Sequence, residues 1–98
     1  MIRGTTPTHT FMLPVDLRTA EVIELYYAQN NTVVVEKQKS DMTVTSNSVS
    51  VTLTQEDTLK FCVSDVEMQI RARFPSGEAI ATDIKRTNVR RVLKGGVI

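Results

Sequence analysis

The segment from Val63 to Phe74 alternates more strictly than any other in this chain. Val66, Met68, Ile70, Ala72 and Phe74 take turns with Asp65, Glu67, Gln69, Arg71 and Arg73. Side chains along a strand point to opposite faces in turn, so as a strand this segment has one apolar and one charged face. As a helix it would scatter the same polar groups around its whole circumference. A strand apolar on one side needs a second layer to cover it, which commits the chain to a packed β architecture.

Neighbouring segments repeat the pattern. Pro75-Ser76-Gly77 supplies a turn, with Pro fixing φ and Gly allowing a positive φ. Glu78 to Arg86 then reads as the return strand of a hairpin, with Ile80, Thr82 and Ile84 on one face. Thr10 to Leu13 is a short strand that Pro14 stops. Glu21 to Gln29 is a longer one, with Ile23, Leu25 and Tyr27 set against Val22, Glu24 and Tyr26. Asn30-Asn31 is a turn, because Asn tolerates the left-handed region, and Thr32 to Lys37 follows it. Thr43 to Thr45 and Val49 to Thr54 form a hairpin through Ser46-Asn47-Ser48, with Val49, Val51 and Leu53 facing in. A last strand is expected around Asn88 to Leu93. Thr and Val, which favour pleated surfaces, supply about a quarter of the residues. One segment breaks the rule: Thr54-Gln55-Glu56-Asp57 places a capping hydroxyl three residues before a carboxylate, so one short helical turn is expected near 54–59. Asp16 to Ala20 is read as another short turn.

The expectation is therefore all-β: a single domain over residues 1–98, an antiparallel Ig-like β-sandwich of about seven or eight short strands with turn signals roughly every 8–12 residues. A small, partly open barrel has the same turn spacing, so strand order stays open. The polar Met1–Thr8 segment and the Gly95-Gly96-Val97-Ile98 tip are expected to be flexible or to contact a partner.

The chain holds 98 residues, one Cys, one His and no Trp. Cys62 can form no internal disulfide and no Cys-rich zinc site, and reads as a small buried residue on a strand flank. A hydrolytic triad needs a nucleophile, a base and an orienting carboxylate. The sole imidazole, His9, lies far from Cys62 in sequence and reads as a polar residue on an outer face. Glu56-Asp57 and Asp65/Glu67 read as solvated carboxylates, the latter pair sharing a face with Arg71 and Arg73. Phosphate-loop, dinucleotide, zinc-protease and calcium-loop patterns are lacking. Neither catalysis nor a cofactor nor a metal is expected. No apolar run reaches the ~18 residues of a membrane span, and the opening residues have no apolar stretch of a secretory signal.

The net charge is +1, but it is unevenly spread. Lys85, Arg86, Arg90, Arg91 and Lys94 lie within ten positions, and no acid follows Asp83. The rest of the chain has seven basic and eleven acidic residues, −4 against +5 for this segment. Three readings stand: cations blunting an exposed sheet edge, contact with an acidic partner surface such as another copy, and nucleic acid. The last is disfavoured, because no aromatic residue lies between Lys85 and Ile98 to stack on bases. Tyr26 and Tyr27 are adjacent on a strand, so one faces outward, where it can make contacts or simply cover the sheet.

Ile2-Arg3-Gly4-Thr5-Thr6-Pro7-Thr8, followed by Phe11 and Pro14, together with Leu53-Thr54-Gln55-Glu56-Asp57-Thr58-Leu59 and Val66-Glu67-Met68-Gln69-Ile70-Arg71, resemble small proteins encoded in the structural-gene modules of phages and prophages of Gram-positive bacteria. The likeness runs over essentially the whole chain and its motifs are not catalytic signatures. More weakly, the chain resembles the N-terminal β-domain of phage upper-baseplate proteins, without the helical stalk those carry. The resemblance implies a virion-associated β-sandwich of tail, baseplate or head surface. Such a protein is made in the host cytoplasm and then carried in the virion, and it binds other virion proteins and copies of itself. The alternative is a monomeric binding module for a host surface glycan or protein, using the outward tyrosine.

Overall fold

A computed structural model describes residues 1–98. Strands β1 (Thr8–Met12), β4 (Met42–Val44) and β5 (Ser48–Thr52) form one sheet in the order β1-β5-β4. Strands β2 (Val22–Gln29), β3 (Thr32–Gln38), β6 (Asp65–Arg73) and β7 (Ala79–Ala81) form the other in the order β3-β2-β6-β7, and β8 (Lys85–Asn88) pairs with β6 beyond β7. All these pairings are antiparallel. No strand ladder joins the two sheets, so the fold is the expected β-sandwich and not the barrel.

The core lies between the inward faces. β2 contributes Ile23, Leu25 and Tyr27, β6 contributes Val66, Met68, Ile70 and Ala72, and Phe11, Val49 and Val51 oppose them. Leu25 lies directly across from Ile70, so the apolar rows of β2 and β6 coincide. Each fully buried large apolar side chain contributes about 1.5–3 kcal/mol. Asn30 and Asn31 both adopt positive φ, 52° and 61°, as the tight β2–β3 hairpin requires. Gly77 does the same at 91° in the β6–β7 turn.

The expected helical turn is α1, Gln55–Leu59. Asp57 N donates to Thr54 Oγ1 at 3.1 Å, and Thr54 N donates to Asp57 Oδ2 at 2.9 Å, a reciprocal capping box. A single 3-10 turn at Lys39–Asp41, with no clear sequence signal, carries the chain from β3 to β4.

Three expectations change. The return strand over 78–86 is not continuous. β6 pairs Arg71 with Ala81 but Met68 with Lys85, so two residues of β6 face the three residues Thr82–Ile84. This β-bulge shifts the alternation by one position. Ile80 and Thr82 face inward before it, Val89 is buried after it, and Ile84, expected beside Ile80, is thrown to the outer face at 56% exposure. Thr82 anchors the bulge: its N–H donates to Ile70 O at 2.9 Å and its Oγ1 accepts from Ile70 N at 3.1 Å.

The last strand also ends earlier than the expected 88–93, at Asn88, and Leu93 stands 92% exposed. Finally, the Met1–Thr8 segment is not loose. Ile2 and Arg90 form a parallel bridge, with Arg90 N donating to Met1 O and Arg3 N to Arg90 O. Thr58 Oγ1 donates to Thr5 O, and Leu53 N to Pro7 O. At the other end, Gln55 exchanges two hydrogen bonds with the backbone of Ile98.

Candidate contact surface

The basic segment divides between two structural settings. Lys85 and Arg86 lie on β8, and Arg90, Arg91 and Lys94 lie in the irregular chain after it. Arg86 Nη2 sits 3.2 Å from Glu67 Oε2, across the β6–β8 ladder. Lys85, Arg90, Arg91 and Lys94 have no carboxylate within ion-pair distance, and all four are exposed. The backbone of Arg90 is held by the N-terminal segment, which leaves its guanidinium facing solvent.

Acids that a strip of this kind could meet on another copy are engaged within the chain. Glu21 pairs with Arg73 at 3.3 Å, Asp65 accepts from Asn88 Nδ2 at 3.1 Å, and Glu24 accepts from Tyr26 Oη at 2.6 Å. That last bond holds the Glu24 carboxyl below its ordinary range and raises the Tyr26 hydroxyl. The exposed pairs are worth no more than about 1 kcal/mol each, so they can exchange partners at little cost.

The two tyrosines separate as alternation demands. Tyr26 points outward and lines a depression of about 240 Å³ with Ala28, Val33, Glu67, Gln69 and Ile84. Tyr27 is fully buried, so it is a core residue and not a contact aromatic. Its ring lies 5.9 Å from that of Phe61, and its Oη is 2.7 Å from His9 Nδ1. His9 is thus not on an outer face: it pairs with the buried Val51 and shares the inward side of β1 with Phe11. Burial, helped by the positive N-terminus, lowers its pKa, and burial raises that of Tyr27. The Tyr27 hydroxyl keeps its proton, and which of the two groups donates in this bond depends on the imidazole tautomer.

Two other expectations are corrected. Asp57 is buried, and Lys37 Nζ lies 2.7 Å from its Oδ2. Burial pushes the Asp57 carboxyl up, but the Lys37 and Thr54 hydrogen bonds outweigh it and leave the pKa lowered. Twenty residues of sequence separate the two partners, so no local pattern announces the pair. Cys62 is exposed, because Gln29 claims its backbone instead: Cys62 N donates to Gln29 Oε1 at 2.8 Å and Gln29 Nε2 to Cys62 O at 2.9 Å.

A larger groove, about 360 Å³, runs between the free edge of β1 and that of β7, floored by Leu13, Leu17, Ile70 and Ile80 with Asp83 and Lys85 at its rim. No helix is long and apolar enough to cross a membrane. Comparison of the chain with protein-family models, with curated proteins and with solved structures finds no match.

Proposed function

We propose that this β-sandwich is a contact protein of a phage particle, a tail, baseplate or head-surface component that works through protein–protein interfaces and not through catalysis. The observation that carries the reading is the exposed strip Lys85, Arg90, Arg91 and Lys94, whose cations have no partner in their own chain. The sequence resemblance to phage structural-module proteins supports the particle as the setting. Complementary charge sets partner choice and encounter rate more than raw affinity, which suits a subunit that must add at one position. In particles purified after prophage induction, the protein should appear in fixed proportion to the major structural proteins. Its absence from purified particles would overturn this reading.

A second reading, a binding module for a host surface glycan or protein, is favoured by one observation: the half-buried Tyr26 lines a depression with Gln69 and Asn31, and an aromatic ring with amides nearby suits a sugar face. Titration with cell-wall polysaccharide should then change tyrosine fluorescence, and Tyr26→Ala should abolish the change. No change with the unmodified protein would remove this reading.

A further inference from the structure

The outer face of the second sheet is polar along β6, where Asp65, Glu67, Gln69, Arg71 and Arg73 project from it. Its most exposed large apolar side chains are Val33 and Ile84, 53% and 56% exposed, which form a depression with Tyr26. Ile84 reaches it only because the bulge at Thr82–Ile84 reverses the alternation, and bulges re-aim side chains in this way. The rim is acidic. Glu36 lies directly across the ladder from Tyr26, and Glu67 directly across from Ala28. Glu24 is hydrogen-bonded to the Tyr26 hydroxyl. Elsewhere on the molecule the reciprocal arrangement stands free: Leu93, 92% exposed, flanked by the unpaired cations Arg91 and Lys94, with Arg90 just before them.

We infer that the Arg90–Lys94 segment of one copy docks on the Tyr26/Val33/Ile84 depression of a second copy, with Leu93 entering the apolar floor and the cations meeting Glu24, Glu36 and Glu67. The partner is another copy of this chain because both halves of the complementarity are present on one molecule, while Leu93 and the cations of Arg90, Arg91 and Lys94 meet none of these groups within it. The inference rests on the reading of the protein as a contact protein and specifies one of its partners. The two surfaces differ, so the contact either repeats head-to-tail into a ring or filament or closes reciprocally in a two-fold dimer, each segment entering the other copy's depression.

The test uses the full chain and two surface variants, Ile84→Asp and Leu93→Asp, with circular dichroism as the folding check. By sedimentation equilibrium the unmodified protein should exceed its monomer mass of 11.0 kDa as concentration rises. Its association should weaken about tenfold or more between low and high salt. Each variant alone should remain a folded monomer. Mixed in equal amounts, they should form a heterodimer and stop there, because Ile84→Asp retains a working Leu93 segment and Leu93→Asp a working depression.

A monomer at every concentration would overturn the inference, as would association that survives both substitutions. Failure of the mixture to associate would overturn it too, and self-association of Leu93→Asp alone would overturn it in favour of a two-fold contact between depressions. Polysaccharide binding by a strictly monomeric protein would assign the depression to the sugar and equally overturn it. A monomer still recovered in purified particles would sink the self-docking and leave the particle reading standing. Complementation by a protein missing from particles would do the reverse.

Discussion

Lys37 and Asp57 show how much one buried contact can carry in a chain where only 19 of 98 residues are buried. Their side chains are 16% and 11% exposed. Removing one partner strands a charge away from water, and such a loss costs about 3–5 kcal/mol. Asp57→Ala also breaks the capping box and should lie at the upper end of that range in urea unfolding. Lys37→Met should lose a comparable amount while α1 stays capped. The carboxyl is lowered in the folded state, so its contribution is present above the ordinary value of 3.8 and fades as pH falls through the lower folded value. His9 acts at milder pH. Its folded pKa lies below the ordinary 6.5, so the fold binds its proton less tightly than the unfolded chain does. Stability should be full above pH 6.5 and decline as pH falls through the lower folded value. A protonated imidazole can only donate in its bond to the Tyr27 hydroxyl. Urea midpoints followed through that range should show the decline, and His9→Gln should flatten it.

At the level of elements, the bulge is the feature to test. Ile70 N is buried and finds its acceptor in the Thr82 hydroxyl at 3.1 Å. Thr82→Val keeps shape but leaves that donor unsatisfied, at a cost of about 1–3 kcal/mol. Thr82→Ser should recover most of it. The capping Thr54 is worth less: Thr54→Ala should cost about 0.5–2 kcal/mol in thermal unfolding. These elements differ in how legible they were. The alternation of Val66, Met68, Ile70 and Ala72 states the inward face of β6 outright, Asn30-Asn31 states its turn, and Thr54 with Asp57 states the helix start. The bulge leaves no such mark, because one extra residue among Thr82, Asp83 and Ile84 alters no composition and shows only when both flanks are paired with β6. The contact surface was half legible. The cation run is visible in sequence, and the parity of Tyr26 and Tyr27 follows from Ile23 and Leu25. The placing of Ile84 beside Tyr26 depended on the unseen bulge. His9 and Asp57 were misplaced because polar residues are usually outside, and only a partner distant in sequence, Tyr27 or Lys37, makes them exceptions.

The whole molecule is elongated, 47 × 26 × 17 Å, and its basic strip continues into the segment where the two ends of the chain meet. Deleting Met1–Arg3 should leave both sheets intact but remove the acceptor of the Arg90 amide and the donor to its carbonyl. Hydrogen exchange should then show loss of protection confined to residues around Val89 and Arg90, with the β2 and β6 amides unchanged.

The same seal sets an order of events. Met1 and Asn88 are 87 residues apart in sequence, and a closure spanning that much chain becomes cheap only after the sheets have brought its ends together. The seal should therefore form last in folding and open first in unfolding. When it opens, Arg90 is released with it, while the core between the sheets keeps its packing. The segment proposed to meet a neighbour is thus a stretch of backbone that could reshape itself during assembly without disturbing the fold that carries it.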